Sequence, residues 1–194
     1  MKLYYAPGAC SLASRISLHE AGFESEFEKV DLKTKTTERG QDYSAINPKG
    51  YVPALVLDDG TPVTENVAIL DLIAGREPEL GPKGSPGRTG LIELLSYLSS
   101  EVHVAFKPFW HTEDPAERAS AGEAVAKRLG FLESRMVGPY LLGQNFTVAD
   151  AYLFVMLRWA KGFGLPLSPR LETYFDEIAK RAPVRQALAE EGLS

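Results

Sequence analysis

The sequence predicts an α/β unit built on a small mixed sheet, followed by an all-α unit. Three observations predict it. Over roughly the first 75 residues, short strand-like runs alternate with helical ones. Residues 76–90 then carry three prolines and four glycines, the composition of a linker. After them, apolar residues recur every three or four positions, which is the helical period. The expected boundaries are 1–76 for the first domain, 77–88 for the linker and 89–194 for the helical domain.

Each element has its own local reason. Lys2 to Tyr5 reads as a strand, and Pro7-Gly8 punctuates the chain after it. Ser11 is the expected N-cap of a helix over 12–21 that ends at Gly22. Phe27 to Leu32 is a second strand, and 38–46 is a weak helical candidate. Asn47-Pro48-Lys49-Gly50 is a turn. Ala54 to Leu57 and Thr61 to Thr64 form a hairpin around Asp58-Asp59-Gly60. Residues 66–74 form a helix that stops at Gly75. The order β-α-β-α-β-β-α is that of a thioredoxin-like domain.

In the second half, Leu91, Leu94, Leu95, Leu98, Val102, Phe106 and Phe109 share one helix face. Val125, Leu129, Leu132 and Met136 make a second stripe, and Leu171, Tyr174, Phe175 and Ile178 a third. Residues 148–159 are apolar nearly all round, as in a buried central helix. Thr147-Val148-Ala149-Asp150 is a capping signature at its start. Pro183 opens a last short helix through about Glu190.

Composition narrows the function. The 194 residues suffice for one ordinary core or two small ones and are too few for a (β/α)₈ barrel. Lys plus Arg is 21 and Asp plus Glu is 26, so the formal charge is −5. That sign disfavours bulk binding to nucleic acid or an anionic membrane. The single cysteine cannot make an internal disulfide. The three histidines, His19, His103 and His111, have no ligand spacing with it, so no metal is expected. The opening residues lack a secretory pattern and no long apolar run is present, so a cytoplasmic location is expected.

Four groups of residues could carry chemistry. Cys10 sits at the expected start of a helix, where free N–H groups and the dipole favour a thiolate; the alternative is a cysteine that only fills space. Ser11 beside it could donate to a bound sulfur. Val52-Pro53 precedes a strand, and a cis proline there would turn the Val52 N–H and C=O outward toward an extended peptide. Glu65 and Asn66 open a helix and could receive an ammonium and a carboxylate; a solvated first turn is the alternative. Ser96, Ser99, His103 and Lys107 share a polar face that either lines a cleft or meets solvent.

Together these features resemble the soluble glutathione transferases, and among them the bacterial beta class. The resemblance lies in the opening Met1 to Leu12, in Val30-Asp31-Leu32, in Asn47 to Pro53 and in Thr64-Glu65. It continues in Ser100-Glu101-Val102-His103, in Tyr140-Leu141-Leu142-Gly143 and in Phe146 to Phe154. It implies a thioredoxin-like domain that binds glutathione, a helical domain that shapes a pocket for a small apolar electrophile, a homodimer and a role in detoxification. Carried over by position, Cys10 faces the glutathione sulfur, Val52 pairs with the tripeptide backbone and Pro53 is the cis proline. Glu65 and Asn66 hold the γ-glutamyl end and Lys35 reaches the glycyl carboxylate. His103 lies near the thiol, Ser96 takes a position usually filled by asparagine, and Glu101 approaches the partner subunit's site. Asn66 stands where serine or glycine is usual, Val104 replaces a lysine and Ser14-Arg15 replaces Pro-His. The implied reaction is conjugation of the glutathione thiol to aromatic or halogenated electrophiles. The alternatives are thiol-disulfide exchange or peroxidase chemistry through Cys10, and a non-catalytic glutathione-binding partner protein.

Overall fold

The computed structural model describes residues 1–82, 84 and 86–193. Lys83 and Ser85 of the expected linker lie outside the described residues.

The strands β1 (Lys2–Tyr5), β2 (Glu26–Asp31), β3 (Thr36–Thr37), β4 (Ala54–Val56) and β5 (Pro62–Thr64) form one sheet in the order β3-β2-β1-β4-β5. β1 runs parallel to β2, with Leu3 opposite Phe27, and antiparallel to β4, with Leu3 opposite Leu55. A parallel pair needs a crossover, and helix α1 (Ser11–Glu20) supplies it. The Asp58-Asp59-Gly60 hairpin forms as expected, with Gly60 at φ +86°.

The expected helix over 38–46 is reduced to a 3₁₀ turn, Tyr43–Ala45, preceded by the short strand β3. Local side chains explain the difference. Thr37 Oγ1 accepts from the Gln41 N–H and Asp42 Oδ1 from the Ser44 N–H, so side chains take backbone donors that a helix would use. Gly75 does not end its helix: α2 runs from Asn66 to Arg76.

The helical half comprises α3 (Arg88–Tyr97), a five-residue π-helical turn (Leu98–Val102), α4 (His103–Ala105), α5 (Lys107–His111), α6 (Pro115–Arg135), α7 (Val148–Gly162), α8 (Pro169–Ala179) and α9 (Ala182–Glu190). Eleven of the fifteen residues of α7 are buried, so it is the central helix its composition implies. α1 packs against both α7 and α9, which ties the sheet half to the helical half through one continuous apolar core.

A polar seam runs along the same interface. Arg15 on α1 is fully buried, stacked against the rings of Tyr5 and Phe27, with its guanidinium carbon 3.9 and 4.2 Å from their centroids. Its charge is met by Glu190 at 3.4 Å and Glu191 at 3.5 Å, at the end of α9 and just past it. Ser14 is also buried and donates to Asn66 Oδ1 at 2.6 Å. The unusual Ser14-Arg15 pair is therefore matched by partners elsewhere in this chain.

Candidate active site

A cleft of about 890 Å³ opens between the sheet half and the helical half. Its floor is the loop from Ala6 to Cys10. Two contacts from the helical half hold that loop by Gly8: Glu191 Oε2 accepts the Gly8 N–H at 2.8 Å, and Trp159 Nε1 donates to the Gly8 carbonyl at 2.7 Å. Gly8 itself is at φ +70°, a left-handed conformation that a side chain would strain.

Burial pushes the Glu191 carboxyl up to about 7, against the pull of the Gly8 N–H, Arg15 and Arg158. The folded protein thus keeps a proton that the unfolded chain, at the ordinary 4.5, has released. This group's contribution to stability is full below pH 4.5 and is lost as pH rises to about 7. Glu191→Gln keeps an acceptor for Gly8 and removes the titration. Urea midpoints taken from about pH 5 to about pH 7 are expected to change by about 1–3 kcal/mol less in the variant than in the wild type. Equal slopes in both proteins would discard the assignment.

Cys10 is half-buried at the end of the loop and is the N-cap of α1. Its thiol donates to the Val52 carbonyl at 3.6 Å. The backbone N–H groups of Cys10 and Ser11 favour its anion, but burial outweighs them and pushes the thiol up to about 12. The expectation of a thiolate is therefore corrected: the helix start is present, and desolvation wins over it. Ser11 is corrected too. It is the first helical residue, fully buried, and its Oγ lies 3.3 Å from both the N–H and the carbonyl of Ala6, so it braces the loop instead of capping the helix or facing a ligand.

The wall opposite is the segment Asn47 to Pro53. Tyr43 Oη and Asn47 Nδ2 each donate to the Tyr51 carbonyl at 2.7 Å, which sets the chain direction entering Val52. The Val52–Pro53 peptide is cis. The Val52 N–H has no partner among the described residues. Lys35 is not part of the cleft lining; its Nζ donates to the Gly50 carbonyl at 2.8 Å, one residue before Tyr51 at the rim.

Glu65 and Asn66 both line the cleft. Glu65 adopts φ +73°, ψ 124°, a strained turn for a side-chain-bearing residue, and this turn carries the chain from β5 straight into α2. Its exposed carboxylate is paired with Lys49. Asn66 differs: it is buried, its Oδ1 is taken by Ser14, and its Nδ2 has no partner. A buried amide donor without a partner is costly unless something else accepts from it.

From the helical side come Ser99, His103, Lys107, Trp110, Tyr152 and Trp159. The His103 ring stands edge-on to Trp159, with centroids 4.9 Å apart, and its Nδ1 lies 3.1 Å from Tyr152 Oη. Burial, helped by the Lys107 charge, lowers the imidazole to about 4, so it is neutral at neutral pH. The sequence leaves position 103 on a polar face that either lines a cleft or meets solvent; the structure places it in the cleft lining, within an aromatic cluster.

Residues 8–76 match the family model described as glutathione S-transferase, N-terminal domain, and residues 97–182 the model for the C-terminal domain. Glutathione S-transferase GstA of Escherichia coli O157:H7 is 42% identical over the whole of both chains. The chain belongs to the glutathione S-transferase family. A sphingomonad glutathione S-transferase complexed with glutathione superposes with a TM-score of 0.93 at 44% identity, covering both chains fully. A bacterial beta-class glutathione S-transferase from Sphingomonas chungbukensis gives 0.92 at 44% identity, again over both chains in full.

Within this transferase scaffold, two carried-over residues of the helical half, besides Lys35, fall outside the cleft. Ser96 is exposed, and its carbonyl accepts from Ser100 Oγ; Ser99 takes the place in the lining. The π-helical turn explains the shift. Its wider winding turns the residues before it about a quarter turn away from the face that carries His103. Glu101 lies on that turn, paired with Arg128 at 2.9 Å, and does not line this chain's cleft. Tyr152 and Trp159 went unnoticed because α7 reads as uniformly apolar. Their signal is present all the same: two aromatics with polar tips, seven residues apart and so on one helix face, whose donors need partners once buried.

Proposed function

We propose that the chain conjugates the thiol of glutathione to small apolar, aromatic or halogenated electrophiles, and that it does so as a homodimer. The observation that carries this reading is the unpartnered, buried Asn66 Nδ2 at the start of α2, in the same cleft as Cys10 and the free Val52 N–H. A γ-glutamyl carboxylate accepting from Asn66 would satisfy that donor. Val52 would take the tripeptide backbone, and the ammonium would compete with Lys49 for Glu65. Lys35, beside the rim, is within the reading as the partner of the glycyl carboxylate.

The free glutathione thiol ionises near 8.5, so the site must favour its anion. Cys10 remains a protonated thiol, and it serves this reading as an S–H donor to the glutathione sulfur, joined by the N–H groups at the start of α1. Trp110, Trp159 and His103 supply an aromatic wall of edge-on rings for an aromatic electrophile. The exposed Ile92 and Phe131 on α3 and α6 give an apolar face suited to a second copy, and Glu101 on the adjoining turn would then approach the partner's site.

The raised Cys10 thiol favours conjugation over thiol-disulfide exchange, because the attacking species in exchange is the thiolate. Glutathione is to be assayed with a panel of halogenated aromatics, peroxides and mixed disulfides; absence of turnover with every electrophile would sink the reading. Cys10→Ala is expected to keep conjugation within about tenfold, as fits the loss of one weak donor. In the wild type, alkylation of Cys10 by iodoacetamide should be slow at neutral pH and still rising at about pH 10. A plateau by about pH 8.5 would return Cys10 to the role of reactive thiolate.

A further inference from the structure

We infer that Tyr152 is a positioning residue that fixes which nitrogen of His103 carries the proton, so that Nε2–H faces the cleft as a dedicated donor. The inference rests on the conjugation reading for its benefit to catalysis, but the proton order itself follows from the hydrogen bonds.

Tyr152 is 1% exposed on α7, and its hydroxyl makes one hydrogen bond among the described residues, the 3.1 Å contact to His103 Nδ1. Two proton orders are conceivable for that contact. If Nδ1–H donated to the phenol, the phenolic O–H would be left buried without an acceptor, since the His103 ring is the one hydrogen-bond partner of the Tyr152 hydroxyl among the described residues. A buried O–H without an acceptor is costly. In the other order the phenol donates to Nδ1 and nothing is orphaned. A phenol is also the stronger donor of the two, and burial keeps it protonated.

A neutral imidazole that accepts at Nδ1 carries its proton on Nε2. Nε2 has no protein partner among the described residues and is not fully buried, so it opens on the cleft that the ring lines. Edge-on packing against Trp159 and Trp110 holds the ring plane.

The test is nitrogen-15 NMR on histidine-labelled protein, with His19 and His111 assigned by substitution. In the wild type, His103 is expected to show a protonated, pyrrole-like Nε2 and a hydrogen-bonded, pyridine-like Nδ1. Tyr152→Phe keeps the ring and removes the donor, and should move the Nδ1 signal to that of a free pyridine-like nitrogen. In the same variant, kcat for conjugation is expected to fall about 3- to 10-fold, the scale of one hydrogen bond, with the glutathione Kd unchanged. A protonated Nδ1 in the wild type, or a Tyr152→Phe enzyme with wild-type kcat and a changed Kd, would overturn the inference. The wild-type spectrum decides the proton order even if the variant does not fold. It also does so if no electrophile is turned over, an outcome that would count against the conjugation reading alone.

Discussion

Asp150→Ala is expected to cost about 3–5 kcal/mol of stability, well beyond the loss of one helix cap. The carboxylate is fully buried and accepts four hydrogen bonds. Oδ2 takes the Thr147 N–H at 2.8 Å and the Thr147 hydroxyl at 2.7 Å. Oδ1 takes the Leu141 N–H at 2.8 Å and Tyr174 Oη at 2.7 Å. One side chain therefore ties together the 141–147 loop, the start of α7 and the middle of α8. Burial pushes its carboxyl upward in pKa, and the four donors oppose that push. Removing it leaves four donors facing a void with no acceptor, each worth about 1–3 kcal/mol before relaxation and entering water recover part of the sum. Since a domain has only about 5–15 kcal/mol in hand, the variant should lose much of its soluble yield. Urea denaturation at neutral pH checks it. A midpoint shift equivalent to less than about 1.5 kcal/mol would mean that Asp150 caps α7 and does little else.

How much of this was legible in the sequence depended on whether the cause was local. Strands β1, β2, β4 and β5, helices α1 and α7 and the Thr147–Asp150 box are set by alternation, helical period and capping chemistry, all of which act within a few residues. The carboxylate's other two donors come from positions 141 and 174, which no local pattern connects to 150. The π-helical turn was equally hidden. Its sequence, Leu98 to Val102, continues the apolar spacing without a break, yet the added winding exchanges Ser96 for Ser99 in the cleft. Cys10 and His103 were found, but the ionisation of Cys10 was misread. A helix start argues for a thiolate, whereas the burial that opposes it, and that keeps the His103 imidazole neutral, arises only when α4, α7 and the 47–53 loop close around them. Positions 14 and 15 looked like mere departures from a family pattern. In three dimensions they are one half of a matched set, with Asn66 answering Ser14 and the end of α9 answering Arg15.

That matched set leads to the second large effect, on ligand binding. Asn66→Ala is expected to weaken glutathione binding by about 1.5–3 kcal/mol, or roughly 10- to 150-fold in Kd, the worth of a hydrogen bond to a charged group. The sequence alone gives Glu65 an equal share in holding the γ-glutamyl end, because an ammonium needs a carboxylate. The structure separates the two. Glu65 is two-thirds exposed and already paired with Lys49, so an arriving ammonium replaces one cation by another in water, a gain of about 1 kcal/mol at most. Asn66 is 6% exposed and its Nδ2 is desolvated before any ligand arrives, so a carboxylate that accepts from it meets no competing partner. Calorimetric titration with glutathione should therefore rank Asn66→Ala well below Glu65→Ala in affinity. Ser14→Ala supplies the control, since it frees Asn66 Oδ1 and leaves the donor in place. It should bind more weakly than the wild type by less than about 1 kcal/mol, the net value of one neutral hydrogen bond that orients the amide. If Glu65→Ala proves the weaker binder of the two, the ammonium end directs recognition. The buried Asn66 amide would then serve the α1–α2 contact and not the ligand.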